Sequence, residues 1–122
     1  MSTKNKHKPI ILGLIIIAII AVILIWGKVA AKSEMILFYG DGCPHCEIVD
    51  DYLTENNTRD RLNFQELEIY NNKDNARLLG QKAKECGFDT SQGVGVPFLS
   101  DGQKCLIGDK DIIDYFKTKL PS

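Results

Sequence analysis

Residues 10 to 26, IILGLIIIAIIAVILIW, contain no charge and no proline, and they consist almost wholly of Ile, Leu, Ala and Val. A run of this kind decides first what the rest of the chain can become, because it reads as a membrane segment. Seventeen residues at about 1.5 Å each reach roughly 26 Å as a helix. Gly27 and the stems of Lys8 and Lys28 extend that reach enough for a thin crossing of the hydrocarbon layer. Trp26 suits the interface at the far end. The chain therefore divides into a basic tail (1–9), a transmembrane anchor (10–27), a linker (28–33) and one domain (34–122).

Lys4, Lys6 and Lys8 precede the apolar run, whereas Lys28 and Lys32 follow it, a small bias toward a cytoplasmic N-terminus. A cleaved secretory signal is the competing reading, since Val29-Ala30-Ala31 is an acceptable small-residue cleavage site. The apolar core, however, is longer than the usual signal h-region of about 7–15 residues, which favours a retained anchor. Either way the domain is expected outside the cytoplasm, as part of a single-pass protein of the cell membrane.

That domain carries a slight acidic excess and no basic stripe, so nucleic acid is not an expected partner. It also holds all four cysteines, Cys43, Cys46, Cys86 and Cys105. An even count in an oxidising compartment permits two disulfides.

The short apolar run Met35 to Tyr39 ends at Gly40-Asp41-Gly42 and reads as a buried strand and a tight turn. A helix is expected from Cys43, with Pro44 in its first turn, where a missing N–H is harmless. Ile48, Val49, Tyr52 and Leu53 recur at helical spacing, and Asn56-Asn57 ends the helix. Leu62 to Tyr70 reads as a strand with a slip near Glu66. Asn71-Asn72 caps a second helix striped by Ala76, Leu79, Ala83 and Cys86 and closed by Gly87. Val96 to Leu99 and Lys104 to Ile107 flank Ser100-Asp101-Gly102-Gln103 as a hairpin. A last helix follows, with Ile112, Ile113, Phe116 and Leu120 on one face and Asp109 as its N-cap. The expected order is β-α-β-α-β-β-α, an α/β fold.

Cys43-Pro44-His45-Cys46 carries the chemistry. A reactive thiol must be ionised near neutral pH, and a helix N-terminus stabilises the negative sulfur through its unpaired N–H groups and dipole. His45 adds a donor or a positive charge nearby. Cys43 is expected to be the exposed nucleophile, with Cys46, deeper in the helix, resolving the mixed disulfide. A thiolate so stabilised makes the pair relatively oxidising.

Half of a zinc site is an alternative, but its other half is normally a second close pair, and Cys86 and Cys105 are far apart in sequence. Haem attachment needs histidine directly after the second cysteine, where Glu47 stands. A purely structural Cys43–Cys46 staple closes too short a loop to stabilise much.

A strand, a turn, Cys-Pro-His-Cys at a helix start, and about fifty residues on a Val-Pro before a hairpin together resemble the thioredoxin superfamily over roughly residues 34 to 120. The resemblance implies a thioredoxin-like, glutaredoxin-type sandwich around a central mixed sheet. It implies a cis Val96–Pro97 peptide that sets Pro97 against the two sulfurs, with Gly95 and the Val96 backbone open to an extended substrate segment. The element order and GVPFL…CLIGDKDI are similar to glutaredoxins, whereas Pro44-His45 resembles DsbA-type exported disulfide oxidases.

Three residues depart from those patterns. Leu37 stands where thioredoxins keep a buried acid, Gly42 replaces their tryptophan, and Gly95 stands where glutaredoxins often have threonine. If glutathione binds, Gly108, Asp109 and Asp111 match the glutaredoxin cradle. No bound cofactor or metal is otherwise expected.

Cys86 and Cys105 can be a second disulfide or two buried small residues. The expected activity is thiol–disulfide exchange with exported proteins, oxidation before reduction or isomerisation, with a membrane-embedded redox partner to regenerate the pair. The alternative is an anchored metal-binding or metal-delivery module.

Overall fold

The computed structural model describes residues 7–26 and 34–120. The basic tail before His7, Gly27, Lys28, the Val29-Ala30-Ala31 site and Lys32 lie outside the described residues. The chain separates into two compact units, Met1–Lys32 and Ser33–Ser122.

In the first unit a single helix, α1 (Lys8–Trp26), covers the apolar run. Its mean hydropathy reaches 3.2 and none of its side chains is buried. A helix satisfies its own backbone polar groups, and one that is apolar on every side has no polar face to turn toward water. At about 1.5 Å per residue, its 19 residues are long and apolar enough to cross a membrane.

The second unit is a mixed α/β domain. Its elements are β1 (Ile36–Tyr39), α2 (Pro44–Glu55), α3 (Thr58–Arg61), β2 (Gln65–Glu68), α4 (Lys73–Glu85), β3 (Phe98–Ser100), β4 (Cys105–Ile107) and α5 (Asp109–Lys119). The four strands form one sheet in the order β2-β1-β3-β4. β1 runs parallel to β2, and the other two pairings are antiparallel.

Side chains of a strand alternate between faces, and the alternation in β1 and β3 builds two cores. Leu37 and Leu99, paired across the sheet, pack with Val49 and Leu53 of α2 and Ile112, Tyr115 and Phe116 of α5. Ile36, Phe38 and Phe98 face the other way, onto Leu79 and Ala83 of α4. β1 is apolar throughout because it is covered on both sides. Its continuous hydrophobic run is thus the sequence mark of a central strand.

Sequence and structure differ at several points. Asn57 takes a left-handed conformation, φ 49°, which asparagine tolerates better than most residues, and the chain continues into the unexpected short helix α3. Ile48 is exposed, whereas Val49 and Leu53 are buried, since only one face of α2 meets the sheet. β2 has no slip. Its register is regular and pairs Leu37 with Glu66. Glu66, exposed on β2 opposite Leu37, is bound by Arg59 of α3 through Nε at 2.7 Å and Nη2 at 2.8 Å.

β3 begins at Phe98 rather than Val96, as Pro97 has no N–H to give to a ladder. The N-cap of α5 is Gly108, at φ 93°, and Asp109 is the first helical residue with no capping bond. Glycine accepts that positive φ without a Cβ clash.

The hairpin turn is held by Asp101, whose Oδ1 accepts from the N–H groups of Gln103 (2.9 Å) and Lys104 (2.8 Å). Asn72 caps α4 by accepting from the N–H groups of Asp74 and Asn75, each at 3.1 Å. Cys86, at the end of α4, is joined by a disulfide to Cys105 of β4, with Cα atoms 6.0 Å apart. The bond ties α4 to the hairpin.

Candidate redox site

Cys43 is the N-cap of α2 and Pro44 its first helical residue. Cys43 and Cys46 lie on one side of the first turn, Cα atoms 5.2 Å apart, and are joined as a disulfide. The Cys46 N–H donates to the Cys43 sulfur at 3.2 Å. Sulfur thus takes the capping bond that a serine or aspartate oxygen accepts at other helix starts. The bond is worth most when the sulfur is a thiolate, because hydrogen bonds to charged acceptors are the stronger ones.

Cys43 is not the exposed partner of the pair. The two cysteines are 8% and 7% exposed, so burial does not rank them. What distinguishes Cys43 is its position at the cap and its neighbour, for its sulfur lies 3.7 Å from the Val96 carbonyl oxygen.

The Val96–Pro97 peptide is cis. Pro97 is fully buried, Val96 half-buried and Gly95 exposed. The carbonyl of Pro97 accepts from the Gly108 N–H at 3.0 Å, which brings the start of α5 to this loop. Asp109 then meets His45, Oδ1 to Nδ1, at 3.4 Å. Asp111 is exposed in the same first turn of α5. The structure thus brings Cys43, His45, Val96, Pro97, Gly108 and Asp109 into one neighbourhood, whereas Cys86 and Cys105 form a separate bond on the α4 side of the sheet.

A cleft of about 280 Å³ opens beside the disulfide. Leu37 and Leu53 give it an apolar wall, and Asp41, Glu47, Asp50 and Glu66 give it carboxylates. Arg59 binds two of these, Glu66 and Asp50. The hydrogen bond to Glu66 raises the Arg59 pKa most, burial works against this, and the bond to Asp50 adds to the rise. Sequence reasoning missed Arg59 and Glu66. The usable signal was Glu66 interrupting an apolar alternation, which calls for a partner of opposite charge.

The turn that presents Cys43 is anchored by Glu68. Its Oε1 accepts from the N–H groups of Asp41 (3.3 Å) and Tyr70 (2.7 Å), and its Oε2 from that of Asn71 (2.8 Å). Desolvation alone would raise this carboxyl, but the three N–H groups outweigh it and hold the pKa below the ordinary range. Gly42, at φ 77°, completes the turn in a conformation that favours glycine.

Chemically, the site offers a disulfide whose N-terminal sulfur is supported by a helix start and a backbone N–H, beside a backbone carbonyl and an imidazole. Among the described residues no group of three or more His, Cys, Asp or Glu is placed to hold a metal ion. No protein-family model matches the chain, and no curated protein matches it.

Proposed function

We propose that this protein is a membrane-anchored thiol–disulfide oxidoreductase of the thioredoxin-like, glutaredoxin-type kind, acting on exported proteins. One observation carries the reading: the Cys43–Cys46 pair sits at the start of α2, directly against the cis Val96–Pro97 peptide. A structural staple has no use for that arrangement. A disulfide exchanged with other proteins does, since a helix N-terminus stabilises the thiolate and an exposed backbone beside it can pair with an extended partner segment.

In the proposed cycle a substrate thiolate attacks the Cys43–Cys46 bond at the Cys43 sulfur, forms a mixed disulfide and expels Cys46 as a thiolate that takes up a proton. A second substrate thiolate then attacks the mixed disulfide at the substrate sulfur. The substrate leaves as a disulfide, and both cysteines end as thiols, two electrons richer. Attack by Cys46 on the mixed disulfide is the reverse of the first step and restores the enzyme disulfide. Oxidation of substrates is the proposed direction, because the N-terminus of α2 and the Cys46 N–H both favour the reduced, ionised Cys43. Regeneration then requires a second redox protein, for which an anchored enzyme suits a membrane-embedded partner.

The helix α1 is long and apolar enough for a single crossing, and the proposed orientation, N-terminus in the cytoplasm and domain outside, follows the small lysine bias of the sequence. The metal-module reading draws no comparable support, as the described residues offer no metal-holding group.

The deciding experiment is the equilibrium reduction potential of Cys43–Cys46 in the full chain in detergent, titrated against glutathione with mass-spectrometric readout. A value between about −120 and −180 mV marks a disulfide donor, and one near about −270 mV a reductant. A pair that never exchanges with glutathione would sink the proposal.

A further inference from the structure

We infer that Asp109 is a positioning residue that moderates the oxidising power of the Cys43–Cys46 pair by holding the His45 imidazole at the start of α5. The inference rests on the oxidoreductase reading and adds to it a residue that sets the poise.

The contacts form a closed ring. From the Cys43 sulfur it runs to the Val96 carbonyl at 3.7 Å, through the cis peptide to Pro97, and from the Pro97 carbonyl to the Gly108 N–H at 3.0 Å. Asp109 follows Gly108, and its carboxylate lies 3.4 Å from His45, two residues after Cys43. Asp109 therefore has a fixed address beside the disulfide, set by backbone contacts and not by its own side chain.

Its chemistry there follows from charge. The reduced state owes its stability to the ionised Cys43, and a cationic imidazole free to approach would stabilise that thiolate. A carboxylate that holds the imidazole competes with the sulfur for it. Lys110, the cation nearest in sequence, is bonded to Asp114 at 2.7 Å, and the other acids at the two helix starts, Asp111 and Glu47, add no positive charge. His45 is thus the side chain whose placement Asp109 governs. The pair is largely solvent-exposed on the His45 side, 69% against 28%, so the effect is modest.

The redox balance is explicit. Two glutathione thiols lose two electrons and two protons and become one glutathione disulfide, while the Cys43–Cys46 bond breaks, Cys46 takes up one proton as a thiol, and Cys43 ends as the thiolate with the other proton released to solvent. Asp109→Asn, near in shape, is expected to shift this equilibrium toward the dithiol three- to tenfold. At 29.6 mV per tenfold for a two-electron couple, the potential rises by about 15–30 mV. The test is the glutathione titration on the full chain in detergent, repeated for Asp109→Asn, His45→Ala and the double variant.

In the His45→Ala background the Asp109→Asn shift is expected to shrink to less than half. An unchanged potential in Asp109→Asn, a fall, or an equal shift in both backgrounds would overturn the inference while leaving the oxidoreductase reading in place. Absence of any exchange with glutathione in the unaltered chain would remove both.

Discussion

His45 Nδ1 stands 3.4 Å from Asp109 Oδ1 and joins the first turn of α2 to the first turn of α5. The two helices pack on one face of the sheet around Leu37 and Leu99, and their N-terminal ends meet at the disulfide. The start of α5 is held there independently of this pair, by the Gly108 N–H to the Pro97 carbonyl at 3.0 Å.

Replacing Cys46 by alanine removes the resolving sulfur and leaves Cys43 free to form mixed disulfides. Cys46→Ala is expected to accumulate covalent adducts with exported proteins on non-reducing gels, and Cys43→Ala to accumulate at least tenfold fewer. Equal trapping by both would contradict the assignment of Cys43 as the attacked sulfur.

The Cys86–Cys105 bond closes a loop of 19 residues, worth about 3 kcal/mol through the unfolded chain. The double alanine variant should lose roughly that amount in denaturant unfolding, and its thermal midpoint should drop by more than about 10 °C. The Cys43–Cys46 potential should stay within a few millivolts of its original value, since the second bond lies against α4. A large change in potential would reveal a coupling between the two bonds.

The Tyr115 hydroxyl donates to Asp101 Oδ2 at 2.9 Å. Burial first, then this hydrogen bond, pushes the Tyr115 pKa from 10.0 up to about 12. Between those two values the unfolded chain releases the phenolic proton while the folded chain keeps it, so unfolding gains as pH rises. The contribution is whole below pH 10 and lost by about pH 12. Tyr115→Phe should cost about 1–2 kcal/mol at pH 7 and flatten the alkaline decline in urea unfolding. An alkaline limb as steep as the original would show that another group causes it.

Membrane topology is open to a chemical test, because all four cysteines lie beyond α1. After mild reduction of intact cells, a membrane-impermeant maleimide should label the protein as fully as it does after lysis. Labelling only after lysis would place the domain in the cytoplasm.

Gly42 and Gly108 occupy positive φ at 77° and 93°. Alanine at Gly108 should cost about 1–2 kcal/mol, from the left-handed penalty for an L residue, and weaken the hold on Asp109. The second effect is visible as a potential closer to that of Asp109→Asn, and an unshifted potential would count against it.

The sequence by itself determined what local chemistry dictates. The run Ile10 to Trp26 is long and apolar enough to cross a membrane, where a helix satisfies the backbone of a single segment, and it is a helix. Cys43 with Pro44 marks a helix start, Gly40-Asp41-Gly42 a turn, and Asp101-Gly102 a hairpin, each through geometry confined to a few residues. Tertiary structure alone decided the rest. That Cys43 is as buried as Cys46 could not be read from helical position, since the Val96 carbonyl beside the Cys43 sulfur arrives from fifty-three residues away. Asp109 looked like a cap by spacing, yet Gly108, whose N–H donates to Pro97, is the N-cap, and the Asp109 carboxylate meets His45 instead. Glu66 breaks the expected apolar alternation in a strand that is nonetheless regular, and its partner Arg59 sits on a helix the sequence did not announce. Contacts between residues distant in the chain carry no local signature, and this site is made almost wholly of such contacts.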